Sequence, residues 1–568
     1  MNQIPSHPIL TCVEAKAWEA GLLKDEAAEW TAMQEAGTKV ADSILDDFKE
    51  IGGLPSNARL LVLAGKGHNG GDALLAAKAI LEKYPQATAD VLLCFGETVL
   101  RPLARRSLDE LRRTADQRVN AVETHPGAAR HPSLEGIFAD AKAGSPLERG
   151  ARAGGVCWDL CLDGIFGFQF RPPMDAATTE VLAWVNAHSA IKFRAAVDLP
   201  SGVGEVSAPT VFRADFTYAT GIVKSPVLLP ANAAAVGRLR YLDLGFFGSV
   251  AGLGEPGPSF AKAADGKPGS ATPAIDRVLL PSILSPLAEL RPSLSDKRTY
   301  GHLFVVGGSH SYPGAVVMAV RAALRSGAGL VTAFVPEKFA PEYAACHPEV
   351  MWVGCPVTST GGLAQGTIEL LRTRASRATA LLIGPGLGAD PETIALAGRV
   401  VQETAVPLVL DADALRPEVI EKALNKPFVC TPHAGEFARI AGGAGLREFC
   451  AASGAIVVLK GPMTRVCGKA GLRPADAGQS KTGPTVYFSP FGGPVLARGG
   501  SGDILAGLVG GLLAQHPEDR ALAACRGVVW HGLAADLLAR THGQVTVETS
   551  QLLEQLGPAL KPTSWQTH

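Results

Sequence analysis

The chain has 568 residues, more than one ordinary core accommodates, so at least two domains are expected. Hydrophobic residues make up 47% and charged residues 19%, and 53 basic against 54 acidic residues leave a formal net charge of -1. That balance argues against nucleic-acid or membrane-surface binding as the main task, and no uninterrupted apolar run reaches the roughly 18 residues that a spanning helix needs.

The first stretch, MNQIPSHPILTCVEAKAWEA, lacks the basic and apolar blocks of an export signal. The ten cysteines are scattered, with Cys157 and Cys161 the closest pair, and neither CxxC nor zinc spacing occurs. Reduced thiols and a cytoplasmic location are therefore expected. RLLVLAG then reads as a buried strand, GKGHNGGD (65–72) as a glycine-rich turn, and LLAAKAILEKY as a helix. Strand, glycine turn and helix together offer backbone N–H groups to a phosphate, although the spacing is neither GxGxxG nor GxxxxGK[ST]. ADVLLCFG is a further strand. Residues from about 101 to 155 read as a helix followed by a surface insertion rich in charge, Gly and Pro.

Two more loops follow strand-like runs and carry an acid: LDGIFGF (162–168) and VDLPSG (197–202). Each taken singly is ordinary turn chemistry. In an open parallel sheet, however, loops at the carboxyl ends of strands share one crevice. Asn69, Asp163, Asp198 and Ser201 would then supply oxygen ligands or acid–base groups there. After a Gly/Pro/Ala-rich break, strand-like runs resume: HLFVVGG, GLVTAFVP, TALLIGPG, VPLVLDADA, FVC and AIVVLKG. The alternation of β and α with short turns indicates parallel sheets covered by helices in both halves. The expected division is residues 1–245, a linker at 246–275, and residues 276–568. GGSGD (499–503) opens a helix of small residues, so the N–H groups of Gly500 to Gly502 would face developing negative charge and Asp503 could take a proton from a hydroxyl.

The set GKGHNGGD, LDGIFGF and AVDLPSG, with ATGIVKSPVLLP and GRLRYLDLGF, resembles the YjeF N-terminal domain, the NAD(P)H-hydrate epimerase family, over about residues 8–245. The resemblance implies a Rossmann-like three-layer domain that inverts C6 of the hydrated nicotinamide ring, an isomerase, with potassium in its site. Carried over by position, His68, Asn69, Gly70, Gly71 and Asp72 bind substrate, as do Gly167, Phe168, Gln169, Phe170, Arg171, Pro172, Pro173 and Asp198. Asn69, Asp163 and Ser201 contact potassium, and Asp163 and Asp198 are the candidate catalytic acids. The family usually reads NNGGD where this chain has His68.

GGSHSYPGAVV, IGPGLG, DADAL, TPHAGEF, KGPMT and GGSGD together resemble the YjeF C-terminal domain, the ADP- or ATP-dependent NAD(P)H-hydrate dehydratase family of ribokinase-like fold, over about residues 280–560. By position, Ala315, Gly386, His433 and Asp503 would contact the hydrated dinucleotide. Lys460, Gly461, Pro462, Met463, Thr464 and Gly502 would contact the nucleotide, with magnesium on its phosphates. Bacterial-type members of the family usually use ADP. The implied activity is a hydro-lyase acting on the S hydrate, NADHX or NADPHX, at the expense of ADP or ATP, with Asp503 as base. A homo-oligomer is expected, with no nucleic-acid or membrane partner. The alternative from the residues alone is a small-molecule (vitamin) kinase with an N-terminal binding module, because GGSGD is shared by ribokinase-like kinases.

Overall fold

A computed structural model describes residues 4–123, 157–248, 275–424, 426–469 and 483–565. They form two compact units, one drawn from residues 8–248 and the other from 275–565 together with residues 4–7.

The first unit is a seven-stranded sheet. Its strands are β2 (Arg59–Ala64), β3 (Thr88–Leu93), β4 (Val119–Glu123), β5 (Trp158–Gly164), β6 (Ile191–Val197), β7 (Phe216–Thr220) and β8 (Arg238–Leu242), in the order β4-β3-β2-β5-β6-β7-β8. Every neighbouring pair is parallel. The chain runs outward from β2 to β4, then returns to the other side of β2 at β5, so the order reverses between β2 and β5. Residues in β2 show why the sheet needs cover on both faces. Leu60, Val62 and Ala64 enter one core and Leu61 and Leu63 the other, the two-residue alternation of a pleated strand. Helices α1 (Cys12–Leu22), α2 (Glu26–Phe48), α3 (His68–Lys83) and α4 (Pro102–Ala115) lie in this unit, α3 packing between α2 and α4. Beneath α2, Arg240 grips Asp47 with two hydrogen bonds of 2.8 and 3.0 Å, and both side chains are fully buried.

The second unit is an eleven-stranded sheet. Seven strands run parallel in the order β16-β15-β14-β13-β10-β11-β12. They are β10 (His302–Val306), β11 (Leu330–Pro336), β12 (Met351–Cys355), β13 (Ala380–Ile383), β14 (Leu408–Leu410), β15 (Phe428–Cys430) and β16 (Ile456–Leu459). The antiparallel strands β17 (Thr464–Gly468) and β18 (Thr485–Ser489) extend it, and β9 (Arg277–Leu279) and β1 (Ser6–Pro8) complete that edge. Here the order reverses between β10 and β13. The helix Arg520–His542 is long and apolar enough to cross a membrane by length and composition. It is instead buried in this unit's core, with Val529, Trp530 and Leu533 inside and the buried Arg526 donating to the Ile283 carbonyl at 3.1 Å.

The division expected from sequence differs from this arrangement at the start of the chain. Residues 4–7 belong to the second unit rather than the first. Arg277 donates to the Ser6 hydroxyl and carbonyl, both at 2.8 Å, Leu280 N–H donates to the Pro5 carbonyl at 3.2 Å, and Ile4 enters the core beside Leu279. A three-residue edge strand carries no periodic signal, so its distant partner is invisible in the sequence. The expected linker lies outside the described residues over 249–274, and the expected insertion does so over 124–156.

Ile4→Ala removes core packing from the second unit although it sits ahead of the first. It should lower the stability of the second unit by about 2 kcal/mol or more, read as a fall in that unit's urea midpoint with the first unit's transition unmoved.

Candidate active sites

The first site lies where the sheet order reverses, at the carboxyl ends of β2 and β5. Gly65 ends β2 with its N–H donating to the Gly164 carbonyl at 3.1 Å, and a Cβ on Gly65 would stand 1.9 Å from the Ile165 carbonyl oxygen. Only glycine permits that approach. The turn then opens α3 at His68, with Gly67 extended at its N-cap.

Asn69 in the first turn of α3, Asp163 near the end of β5 and Ser201 in the loop after β6 are joined by one chain of hydrogen bonds. Asn69 Nδ2 donates to the Phe166 carbonyl at 2.8 Å, Phe166 N–H donates to Ser201 Oγ at 2.9 Å, and Ser201 Oγ donates to Asp163 Oδ1 at 2.6 Å. Ser201 N–H also donates to Asp163 Oδ2 at 2.7 Å. Asp163 is fully buried with neutral hydrogen-bond partners, and burial pushes its carboxyl up to about 6 against those bonds. Among the described residues the Asp163 carboxylate is met only by two backbone N–H groups and one hydroxyl, and its charge, with the side-chain oxygens of Asn69 and Ser201, makes an oxygen set that fits a monovalent cation.

In front of this nest is a cavity of about 600 Å³. His68, Asn69, Asp72, Gly167, Phe168, Gln169, Phe170, Arg171, Pro173, Asp198 and Lys224 line it. Gly70 and Gly71 do not. A Cβ at 70 would lie 2.2 Å from the Gly65 carbonyl oxygen and one at 71 would lie 2.3 Å from Met33 Cε, so these glycines let α3 pack closely and leave only backbone for a ligand. His68 faces Glu29 at 3.4 Å on the cavity wall.

A group that the sequence reading left without a role stands at the back of the cavity. Lys224, 1% exposed, donates to Asp198 Oδ1 at 2.6 Å and to the Thr220 carbonyl at 3.3 Å, and lies 3.6 Å from Glu19. Burial disfavours its charge, but Asp198 and Glu19 outweigh that and hold its ammonium above the ordinary range. Asp198 takes a positive φ of 65°, uncommon for a non-glycine residue. Burial raises the carboxyls of Asp198, Glu19 and Asp72, with Lys224 opposing each, and Asp72 Oδ1 has no hydrogen-bond partner among the described residues. The signal for Lys224 was a single charge in the apolar run ATGIVKSPVLLP.

The second site lies at the carboxyl ends of β13 to β16. Gly384 follows β13 so closely beneath β14 that a Cβ on it would meet the Asp411 carbonyl oxygen at 1.8 Å. Ala315 and Gly386 are neighbours, since a Cβ on Gly386 would lie 3.0 Å from that of Ala315. Gly388 N–H donates to Asp413 at 2.9 Å and so ties this loop to the end of β14. His433 caps the helix Ala434–Ala441, its Nδ1 accepting from Gly435 N–H at 3.0 Å and from Glu436 N–H at 3.3 Å, while its ring remains exposed. Its backbone bridges to Lys460.

Lys460 gathers the acids. Its Nζ lies 3.2 Å from Asp411 and 3.9 Å from Glu436, and a Cβ on Gly502 would lie 3.1 Å from it. Asp411 also accepts from the Thr431 hydroxyl at 2.6 Å. Gly500, at φ 89°, turns the chain into the helix Ser501–Gln515, placing Gly502 and Asp503 in its first turn. Burial, then the neighbouring Asp411, pushes the Asp503 carboxyl up to about 7, with Lys460 opposing. A carboxylate poised near neutrality at a helix N-terminus suits a base acting on a hydroxyl. Gly461 and Pro462 form an exposed turn before β17, and Met463 and Thr464 are half-buried. Asp411, Asp413 and Glu436 were without assigned roles in the sequence reading, though DADAL and TPHAGEF contain them.

Two strand-end sites, one with a buried lysine–carboxylate cluster and one with a glycine turn aimed at a lysine, define a two-domain α/β enzyme. Residues 30–225 match the family described as YjeF-related protein N-terminus, and residues 303–558 match the family described as NAD(P)H-hydrate dehydratase. The chain is 32% identical to the bifunctional NAD(P)H-hydrate repair enzyme Nnr of Gloeobacter violaceus over 99% of both chains. It is 30% identical to that of Moorella thermoacetica over 93% of this chain and 92% of the relative. An ADP/ATP-dependent NAD(P)H-hydrate dehydratase from Bacillus subtilis, co-crystallized with ATP/Mg2+, is 27% identical at a TM-score of 0.38, covering 48% of this chain and 92% of its own. The chain belongs to the family of bifunctional NAD(P)H-hydrate repair enzymes.

The raised Asp503 carboxyl sets a stability test. Between about pH 4 and 7 the unfolded chain has released this proton while the folded chain keeps it, so stability falls as pH rises through that window. Asp503→Asn should therefore be more stable than the parent at pH 8, by at least about 1 kcal/mol, and show no advantage at pH 4. Chemical denaturation at the two pH values checks this.

Proposed function

We propose that the first unit interconverts the R and S hydrates of NAD(P)H at C6, that the second removes water from the S hydrate with ADP as cosubstrate, and that together they clear both epimers. The observation that carries this reading is likeness to bifunctional repair enzymes along nearly the whole chain, with a strand-end site built in each unit.

In the first unit, Asn69, Asp163 and Ser201 would hold potassium, which would supply a fixed positive charge beside the substrate. The loop 167–173 and Asp72 would line the substrate, and Asp198 would move a proton at the C6 substituent. In the second, the hydrated ring would lie by Ala315, Gly386 and His433, and the nucleotide by Lys460–Thr464 and Gly502. Asp503 takes the proton of the C6 hydroxyl as its oxygen attacks the terminal phosphoryl group. Lys460 and the N–H groups of the Gly500–Gly502 turn offset charge on that group. The nucleotide departs with one phosphate fewer. Loss of the C6 phosphate and of a proton from C5 then restores the ring double bond. Magnesium, carried on the nucleotide phosphates, would neutralise their charge.

A reducing, cytoplasmic setting is supported by the scatter of the ten cysteines, eight of them buried. Self-association is supported by the fully exposed Leu290 and Leu294 in the second unit.

The decisive experiment is incubation of an R/S hydrate mixture with ADP, magnesium and potassium, with both epimers followed by chromatography. Both should disappear. Omission of ADP should leave the epimers equilibrating but uncleared. Asp503→Asn should dehydrate the S hydrate at least about a hundredfold more slowly while epimerising normally. Asp163→Asn, which removes the buried charge and keeps its shape, should slow epimerisation by at least about tenfold and leave S-hydrate dehydration unchanged. Equal loss of both activities in either variant would contradict two independent sites.

A further inference from the structure

The cavity of the first unit is lined by a buried lysine–aspartate pair, not a lone acid. Lys224 and Asp198 touch at 2.6 Å and both line the cavity. Lys224 is placed by constraints that do not depend on that contact. Its backbone bridges to Leu10, its Nζ donates to the Thr220 carbonyl at 3.3 Å, and the Phe168 ring covers it at 5.0 Å. Phe168 belongs to the loop expected to contact substrate, so the ammonium and the substrate would share that ring. Three carboxylates, Asp72, Asp198 and Glu19, act on this buried ammonium, and all four groups line the cavity. A cation needed only to neutralise Asp198 would not have to line the cavity.

The chemistry at C6 asks for two proton positions. C6 of the hydrated ring bears the hydroxyl and is bonded to the ring nitrogen N1, so it is a hemiaminal carbon. Resting on the epimerase reading above, we propose that Asp198 and Lys224 act together to open and reclose the C6–N1 bond, Asp198 serving the oxygen and Lys224 the nitrogen. In the opening step the hydroxyl proton passes to the Asp198 carboxylate and C6=O forms. The C6–N1 bond breaks with its electron pair going to N1, and Lys224 gives N1 a proton. Rotation about C5–C6 presents the other face of the aldehyde. Reclosure reverses each transfer: Lys224 takes the N1 proton as N1 attacks C6, and Asp198 returns its proton to oxygen. No proton, electron or other reactant is gained or lost over the cycle. Burial raises the Asp198 carboxyl, so it can hold the proton it takes, and once Asp198 is neutral the attraction that keeps the Lys224 ammonium charged weakens and its proton can pass to N1.

The test uses the full-length chain and separated R and S hydrates, with dehydration of the S form as the internal control. Lys224→Ala should lower epimerisation kcat by about 10²–10⁴-fold with little change in KM, and added primary amines such as ethylammonium should restore part of the rate. Lys224→Arg keeps the positive charge but cannot release a proton, so it should be as slow as Lys224→Ala. Near-parental epimerisation by Lys224→Arg, or failure of amines to raise the Lys224→Ala rate, overturns the role in proton transfer. A measurement on the unmodified chain is independent of whether the variants fold. In ¹⁸O-water, a single R-to-S conversion should retain most of its original C6 oxygen. Incorporation of solvent oxygen at every conversion would mean that C6–O, not C6–N1, is cleaved, and the proposal fails. If the unmodified chain does not epimerise at all, it is the epimerase reading that falls.

Discussion

A Cβ at residue 65 would stand 1.9 Å from the Ile165 carbonyl oxygen, and one at residue 384 would stand 1.8 Å from that of Asp411. In each unit, then, two adjacent strand ends meet backbone to backbone where any side chain would hold them apart. The chemistry depends on that closeness. In the first unit it brings the turn after β2 against the loop after β5, so that Asn69 reaches Phe166 and, through it, Ser201 and Asp163. In the second it sets the loop of Gly386 against the end of β14, where Asp411 meets Lys460. The first sheet reverses its order at this place, between β2 and β5, and the second reverses one strand away, between β10 and β13; the gap that a reversal opens is where a parallel sheet can admit a ligand.

Both sites also place a lysine beside an aspartate at a strand end: Lys224 with Asp198, and Lys460 with Asp411. A buried pair of this kind is a poor source of stability, because desolvation offsets much of the attraction. Surplus acids make it worse, and the raised carboxyls of Asp72, Glu19 and Asp503 record that cost. The scaffold can tolerate it because its sheets are covered on both faces by apolar side chains, as the alternation of Leu60 and Val62 against Leu61 and Leu63 illustrates. Charges that are unfavourable for folding are retained where protons must move.

Much of this was legible in the sequence, and the reasons are local. Strands buried on both faces read as unbroken apolar runs, glycine turns mark their ends, and the acids of LDGIFGF and VDLPSG stand directly after such runs. The glycine turn before Asp503 announced a helix start, and the chain does enter a helix there. What escaped was whatever depends on distant partners. Lys224 sits in a loop with no turn signature, and its meaning comes from Asp198 across the sheet ends and Glu19 on α1. Asp411 was visible as a strand-end acid, but its lysine is 49 residues further on. The roles of Gly70 and Gly71 shift toward packing because their neighbours, Gly65 and Met33, come from other elements.

The edge strand β1 has a consequence for how the chain is made. Ser6 leaves the ribosome first, yet its partner Arg277 follows 271 residues later. During all of that synthesis the strand has no sheet to join, and the intervening segment folds as a unit of its own while it waits. Closing so long a loop as a random coil would be slow, since non-local pairing must meet the closure entropy first. A folded first unit shortens the loop to the span between its own two ends. The growing chain thus has an order imposed on it: this edge of the second unit's sheet can be completed only once residue 277 has been made, and a nascent chain stalled before it carries its opening strand unpaired.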